Sequence, residues 1–449
     1  MTRRIGMIVF LAAFFAALVG LSYAFYLLAG VLALGFARLG APPEWGATIA
    51  NLVTLMLVVL MVPGTLLSVA ERKWSALMQN RIGCNRIRVF GSSLGGIPFL
   101  VADALKMLTK ERFTPDRRTK FLFDLAPVLA FAPIFALFAI VPIGAPVALG
   151  NIVGAEGALG RTLVSLQVAS PDAGLLYLFA IASLAVYGTS LAGWASNNKL
   201  ALLGSVRAAS QMIGYEVSLG LSLVGTMIAY QTLRLEEMAL AQASFAKLGL
   251  LLQPVGFLVF FASAFAETKR APFDLPEGES EIVGYFIEYS GMQFGLMFLS
   301  EFIEIVVVAG VITAVFLGGG HFWLFEQQAR ASLGPLWFAA LGAGVFLAKM
   351  IALMWLQLTI RWLLPRFRYD QIQKLCWKIL LPVSIANVFV TAAAVLLDPS
   401  LTLLAWIGVA SIVAIAAVTA AASRAPAAAS AAGHGHGDHA DAAHAAAGH

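Results

Sequence analysis

The sequence predicts an all-α polytopic membrane protein with about ten transmembrane helices and an amphipathic helix at the membrane interface. Three observations carry that prediction. The 449 residues are 60% hydrophobic and only 12% charged, whereas soluble domains carry about 25% charged residues. Ten apolar runs are of the order of the roughly 20 residues that a spanning helix needs. Finally, the basic residues gather in alternate loops, as they do when one side of a membrane retains Lys and Arg. In hydrocarbon every backbone polar group has to be satisfied within its own segment, so such runs form a helix bundle.

The runs cover 5–37, 47–69, 124–148, 173–195, 210–230, 246–266, 291–317, 335–362, 374–397 and 401–421. The first follows Arg3 and Arg4, as a signal peptide would. It is too long for a signal-peptide apolar region and has no clear small-residue cleavage site, so it reads as a retained anchor. Loop 70–120 holds eleven Lys and Arg, and loops 196–209, 267–290 and 361–378 hold nine more. The other side has Arg38, Arg161, Arg234, Lys247 and Arg330. Ten spans with both termini cytoplasmic satisfy this distribution. The pI near 9.2 reads as the same bias and not as nucleic-acid binding.

Within loop 70–120, "GGIPFLVADALKMLTKER" behaves differently. Ile97, Leu100, Val101, Ala104, Leu105 and Leu108 repeat at one-face helical spacing, with Asp103, Lys106 and Lys110 elsewhere. The run is too short and too charged to span, so a helix at the interface is expected over 96–112. An ordinary helix packed on the bundle is the alternative. The segment after Ala421 is low-complexity and reads as a solvated tail, with five histidines that suit at most loose metal binding. Cys84 and Cys376 give neither a disulfide framework nor a CxxC pattern. No metal site is expected. No GxGxxG stands between a strand and a helix, and no cysteine cluster suits iron–sulfur ligation.

Polar chemistry concentrates in three places. "AETKRAPFDLPEGESEIVGYFIEYS", 266–290, carries Glu267, Asp274, Glu277, Glu279, Glu281 and Glu288, a quarter of the 24 acidic residues. Pro272 and Pro276 break helical continuity there. Crowded like charges raise one another's pKa and titrate as a set, so some of Asp274, Glu277, Glu279 and Glu281 should hold protons near neutral pH. Lys269 and Arg270 offset them locally. Glu216, Glu301 and Glu304 fall inside apolar runs, where an ionised group costs about 2.5–3.5 kcal/mol. They are expected to be buried in protein, protonated or paired. Glu301 and Glu304, three apart, share a helical face, and Lys349 is a candidate counter-charge. The third place is "ERKWSALMQNRIGCNRI", 71–87. Arg81 there reads equally as positive-inside charge or as a donor to a carbonyl-bearing amphiphile.

Four stretches, "ERKWSALMQNRIGCNRI", "VADALKMLTKE", "ASNNKLALLGSVRAASQMIGYE" and "ETKRAPFDLPEGESEIVGYFIEYSGMQFGLMFLSE", together resemble one family. It is the NADH dehydrogenase subunit 1 family, the H-type membrane subunits of the proton-pumping NADH:quinone oxidoreductase, respiratory complex I. The resemblance covers roughly 45–397 and implies an eight-helix core that forms the quinone chamber at the junction with the peripheral arm. Residues 1–44 and 398–423 then add one helix at each end, and 424–449 a disordered His-rich tail. The resemblance implies a role near the quinone pathway for Glu71, Arg72 and Arg81, with 96–112 bordering its mouth. It places Glu216, Asp274, Glu277, Glu279, Glu281, Glu288 and Glu301 on the acidic path that couples quinone reduction to proton translocation. It also implies a bacterial inner membrane, quinone as substrate, and partner subunits in the peripheral and membrane arms that hold the FMN and iron–sulfur clusters.

The pattern departs from the family at four points. Gly83–Cys84–Asn85 stands where "GPN" is usual, and "GSSLGGIPFLVADALK" is looser than the usual version. Lys269 replaces an asparagine, and Glu304 has no counterpart. A homologous proton-path subunit of a membrane-bound hydrogenase-type complex is the nearest alternative. A stand-alone secondary transporter would call for internal repeats and broken helices, and the sequence shows neither clearly.

Overall fold

The computed structural model describes residues 2–88, 91, 94–276, 284–323 and 325–424. Its longer helices are α1 (Thr2–Arg38), α2 (Pro43–Met78), α3 (Ile97–Thr109), α4 (Lys120–Phe138), α5 (Gly174–Ala195) and α6 (Lys199–Tyr230). They continue as α7 (Pro254–Glu267), α8 (Gly291–Val315), α9 (Pro335–Leu363), α10 (Tyr369–Leu397) and α11 (Thr402–Arg424). Among the described residues nine of them, all but α3 and α7, are long and apolar enough to cross a membrane. The protein is an all-α polytopic integral membrane protein. Helix α8 is its axis, buried along most of its length against a core that includes Leu55, Leu60, Phe138, Phe346 and Met350.

The sixth predicted span, 246–266, is divided. A single turn, Gly249–Leu252, stops at Gln253 (φ −134°, ψ 56°), and α7 begins at Pro254, which lacks an amide donor. Its 14 residues rise roughly 21 Å, short of a hydrocarbon core of about 30 Å. The Gln253 side chain fills the break. Its Nε2 donates to Thr391 Oγ1 at 2.6 Å and its Oε1 accepts from Asn387 Nδ2 at 2.7 Å, both on α10. Gly225 of α6 faces this amide pair, and a Cβ there would lie 2.9 Å from Gln253 Oε1.

Other boundaries also move. The fifth predicted span, 210–230, is the second half of α6. That helix starts eleven residues earlier, where the Asn198 side chain caps it by accepting from the Leu200 amide at 2.9 Å. Helix α4 ends at Phe138, and the end of the third predicted span folds instead as strand β1 (Gly144–Ala148). It pairs antiparallel with β2 (Leu163–Leu166), Val147 opposite Val164. Tyr26 of α1 donates to the Ala145 carbonyl at 2.6 Å, and Asn51 of α2 donates to the carbonyls of Ser165 and Gln167 at 2.7 and 2.9 Å. This hairpin caps the face opposite the basic loops.

Helix α3 falls inside the interval expected for an interfacial helix. Its apolar stripe is turned outward: Ile97, Val101, Leu105 and Leu108 are more than half exposed. That is the disposition of a helix lying in the membrane surface, not of one buried on the bundle.

Candidate functional site

The site grows from four helix ends that meet on the basic face. Glu71 sits late in α2, Arg361 late in α9, Glu301 in the first half of α8, and Arg270 just after α7. Arg270 joins three of these elements. It donates to Glu71 Oε2 at 2.6 Å, lies 3.7 Å from Glu301 Oε2, and stacks 3.7 Å over the Phe302 ring. Arg361 binds the other oxygen of Glu71. Glu71, Arg270 and Glu301 are all buried. A planar guanidinium is suited to this shared position because its donors fan out in fixed directions. Tyr285 Oη donates to Glu301 at 3.4 Å. One turn after Glu71, Trp74 Nε1 donates to Thr359 Oγ1 at 3.1 Å and holds α2 against α9.

The loop that delivers Arg270 is pinned along its length. Gln211 of α6 donates to the carbonyls of Ala266 and Phe273 at 2.7 and 2.8 Å, and the Phe367 amide donates to the Pro272 carbonyl at 3.1 Å. Asp274 is thereby held buried beside Arg366, at 2.6 Å. Its other oxygen, Oδ1, is buried with no hydrogen-bond partner among the described residues. Burial pushes the Asp274 carboxyl up to about 6, against the pull of Arg366.

A second set of carboxylates lies behind this network. Glu267, at the last position of α7, is within Coulombic reach of Glu304 on α8 and of Glu216 on α6. Glu304 in turn feels Glu301, Lys269 and Arg270. The structure thus brings Glu71, Glu301, Glu304, Glu267 and Glu216 into one series, with Lys269 and Arg270 beside it.

Beside the network, helices α2, α3 and α8 enclose an apolar slot of about 180 Å³. Leu100, Ala104 and Met107 of α3 face Leu296, Phe298 and Phe302 of α8 across it. Asp103 fixes one wall by pairing with Arg72 at 2.8 Å. Phe302 belongs both to the slot and to the Arg270 stack, so the slot abuts the buried charges.

A family described as NADH dehydrogenase matches residues 50–392. The chain belongs to the NADH dehydrogenase family. It is 42% identical over 345 residues to the H 1 subunit of the NADH-quinone oxidoreductase of Geobacter metallireducens, covering 76% of this chain and 94% of that protein. The H 2 subunit of the NADH-quinone oxidoreductase of Geobacter sulfurreducens is similar to the same extent. The corresponding H subunit of Flavobacterium psychrophilum is 39% identical over 333 residues, 73% of this chain and 91% of that protein. The family stretch runs from within α2 to within α10 and contains the slot and the whole carboxylate series; α1 and α11 lie outside it.

Not every family position named from the sequence joins this site. Arg81 sits on an exposed turn after α2 with its Nε on Gln79 at 2.7 Å. Glu288 accepts from Asn198 at 2.5 Å, at the turn between α5 and α6. Glu277, Glu279 and Glu281 lie outside the described residues. Lys349 does not neutralise Glu301 or Glu304. Its ammonium donates to the carbonyls of Leu317, Gly319 and His321 at 2.7, 2.9 and 2.6 Å, beyond the other end of α8. Arg361 and Arg366 are site residues that the sequence presented only as basic charge at helix ends.

Proposed function

We propose that this chain is the membrane subunit of an NADH:quinone oxidoreductase that forms the quinone chamber and starts its proton path. One observation carries the reading: an apolar slot open at an interfacial helix ends on a buried network of paired charges, Glu71–Arg270–Glu301. The slot suits a prenyl-tailed carbonyl compound arriving from the bilayer, and α3 with its outward apolar stripe borders its mouth. Reduction of quinone to quinol takes two electrons and two protons. On this reading the electrons arrive from flavin and iron–sulfur centres in peripheral-arm partners, because the sequence of this chain offers no pattern to bind either.

What the chain's own residues contribute is protons and fixed charge. Asp274, with a carboxyl near 6, holds a proton in a useful fraction of molecules near neutral pH and gives it up readily. Arg270 and Arg361 both donate to Glu71. A charge change at the quinone alters the balance at Arg270, which touches both Glu71 and Glu301. The carboxylates from Glu301 to Glu216 then exchange protons in sequence towards the membrane-arm subunits. On this reading the family resemblance assigns Glu277, Glu279, Glu281 and Glu288 to the acidic path and Arg81 to the quinone pathway, while Arg72 borders the slot through its pair with Asp103. The eight core helices fall in 45–397, with 1–44 and 398–423 as added helices. The basic loops and both termini face the cytoplasm of a bacterial inner membrane.

Isolating the native complex through this chain tests the proposal. Inhibitor-sensitive NADH:quinone reductase activity in a flavin- and iron–sulfur-containing assembly is the expected result. Hydrogenase subunits in its place would transfer the proton path to a hydrogenase-type complex, and a lone redox-silent protein would reject both.

A further inference from the structure

The two departures from the family pattern that carry charge, Lys269 and Glu304, lie within electrostatic reach of each other without forming an ion pair among the described residues. They are 35 positions apart in the numbering, yet Lys269 is a principal electrostatic neighbour of Glu304. Both are buried, at 3% and 9% exposure. Lys269 also occupies a left-handed backbone conformation, φ 55°, which Asn adopts more readily than a long side chain. A lysine at such a position is retained against a local backbone cost, and its ammonium lies 5.9 Å from the centroid of Tyr285, whose hydroxyl bonds Glu301.

Glu304 has a carboxylate on either side. Glu301 precedes it by three residues on the same face of α8. Glu267, at the end of α7 and two residues before Lys269, is in electrostatic reach of Glu304 and of Glu216 on α6. Glu301 is bound by Arg270 and Tyr285, so the neighbour of Glu304 on α8 is tied directly to the Arg270 network. Buried Glu304 and half-buried Glu267 make no direct hydrogen bond or ion pair among the described residues, so ordered water is the natural partner of their carboxyl groups.

We propose that Glu304 is an additional proton-relay residue of this chain, linking the Glu71–Arg270–Glu301 network to Glu267 and Glu216, with Lys269 as its counter-charge. In each hop the O–H bond of one carboxyl breaks as that of the next forms through water. Glu304 is left as a carboxylate beside Lys269 until a proton arrives from the Glu301 side, so charge and protons balance at every step. The proposal rests on the quinone-reductase reading of the site and adds to it a position where the family pattern has none.

The test uses the whole assembled complex carrying Glu304→Gln, Glu304→Asp, Lys269→Asn, or Glu304→Gln with Lys269→Asn. NADH:quinone turnover, proton translocation and the solvent deuterium isotope effect are normalised to the amount of complex. A relay predicts that Glu304→Gln lowers coupled turnover about tenfold, modest against what a positioned proton-transfer group contributes, and raises the isotope effect. Glu304→Asp restores most of the rate, and adding Lys269→Asn to Glu304→Gln does not. Wild-type turnover in Glu304→Gln, or recovery on adding Lys269→Asn, overturns the relay: the first makes Glu304 dispensable, the second makes it only a charge balance for Lys269. A wild-type complex without quinone-reductase activity would defeat the underlying reading instead, a result visible before any variant is made.

Discussion

Arg270 is the residue on which the buried charges turn, since among the described residues it alone touches both Glu71 and Glu301. Removing one partner from a buried ion pair costs about 3–5 kcal/mol. Arg270→Ala should therefore lower the thermal stability of the assembled complex and remove most quinone reduction. Arg270→Lys should be intermediate, because a single ammonium cannot reproduce two forks. A variant with wild-type melting and turnover would contradict the shared role. Asp274 gives a pH prediction. Its folded pKa of about 6 lies above the ordinary 3.8, so the folded state favours the protonated form. That contribution is complete below about pH 4 and lost as the pH rises through about 6. Protection of the 268–276 amides, corrected for intrinsic exchange, should fall from pH 5 to 7 and become flat in Asp274→Asn. Equal slopes would contradict it. At this scale the sequence was informative about acids and poor about bases. Glu216, Glu301 and Glu304 were conspicuous because charge inside an apolar run is costly. Arg361 and Arg366 were hidden among the arginines that any basic-side loop carries, and Arg270 was read only as local charge balance for the acidic loop. Lys349 misled because position along a helix gives depth and not neighbours; the chain after α8 folds back so that three of its carbonyls reach the ammonium.

Among the elements, α7 departs furthest from a simple spanning helix. Its break at Gln253 is held by Asn387 and Thr391, and the close approach of α6 depends on Gly225. In most helices Gly→Ala is favourable by up to about 1 kcal/mol. At Gly225 the new Cβ would meet Gln253 Oε1 at 2.9 Å and Asn387 Nδ2 at 3.1 Å, so Gly225→Ala should destabilise. Gly220→Ala, on the same helix and no closer than 3.9 Å to Phe179, should not. Thermal inactivation of the two complexes compares them, and equal midpoints would remove the steric argument. The break was not legible in an unbroken apolar run, because hydropathy averages over Gln253 and Pro254. The early start of α6 was missed for the opposite reason: Lys199 and Arg207 lowered its apolarity while its helical pattern continued. Helix α3 was read from spacing alone, and the structure adds the direction of its apolar face.

For the whole molecule, the proposed route is an apolar slot at the interface, a buried network of paired charges behind it, and carboxylates on α8, α7 and α6 leading away. The four family stretches in order made the route's residues legible, while their contact across 199 and 290 positions, as in Arg270–Glu71 and Arg361–Glu71, follows only from the fold. Glu216 lies at the far end of that series, distant in the path from the slot. The most direct measurement is therefore protons translocated per NADH oxidised in the Glu216→Gln complex, beside its quinone-reductase rate. The account predicts that electron transfer to quinone becomes uncoupled, with translocation falling far more than quinone reduction. Full translocation at the wild-type ratio would contradict it.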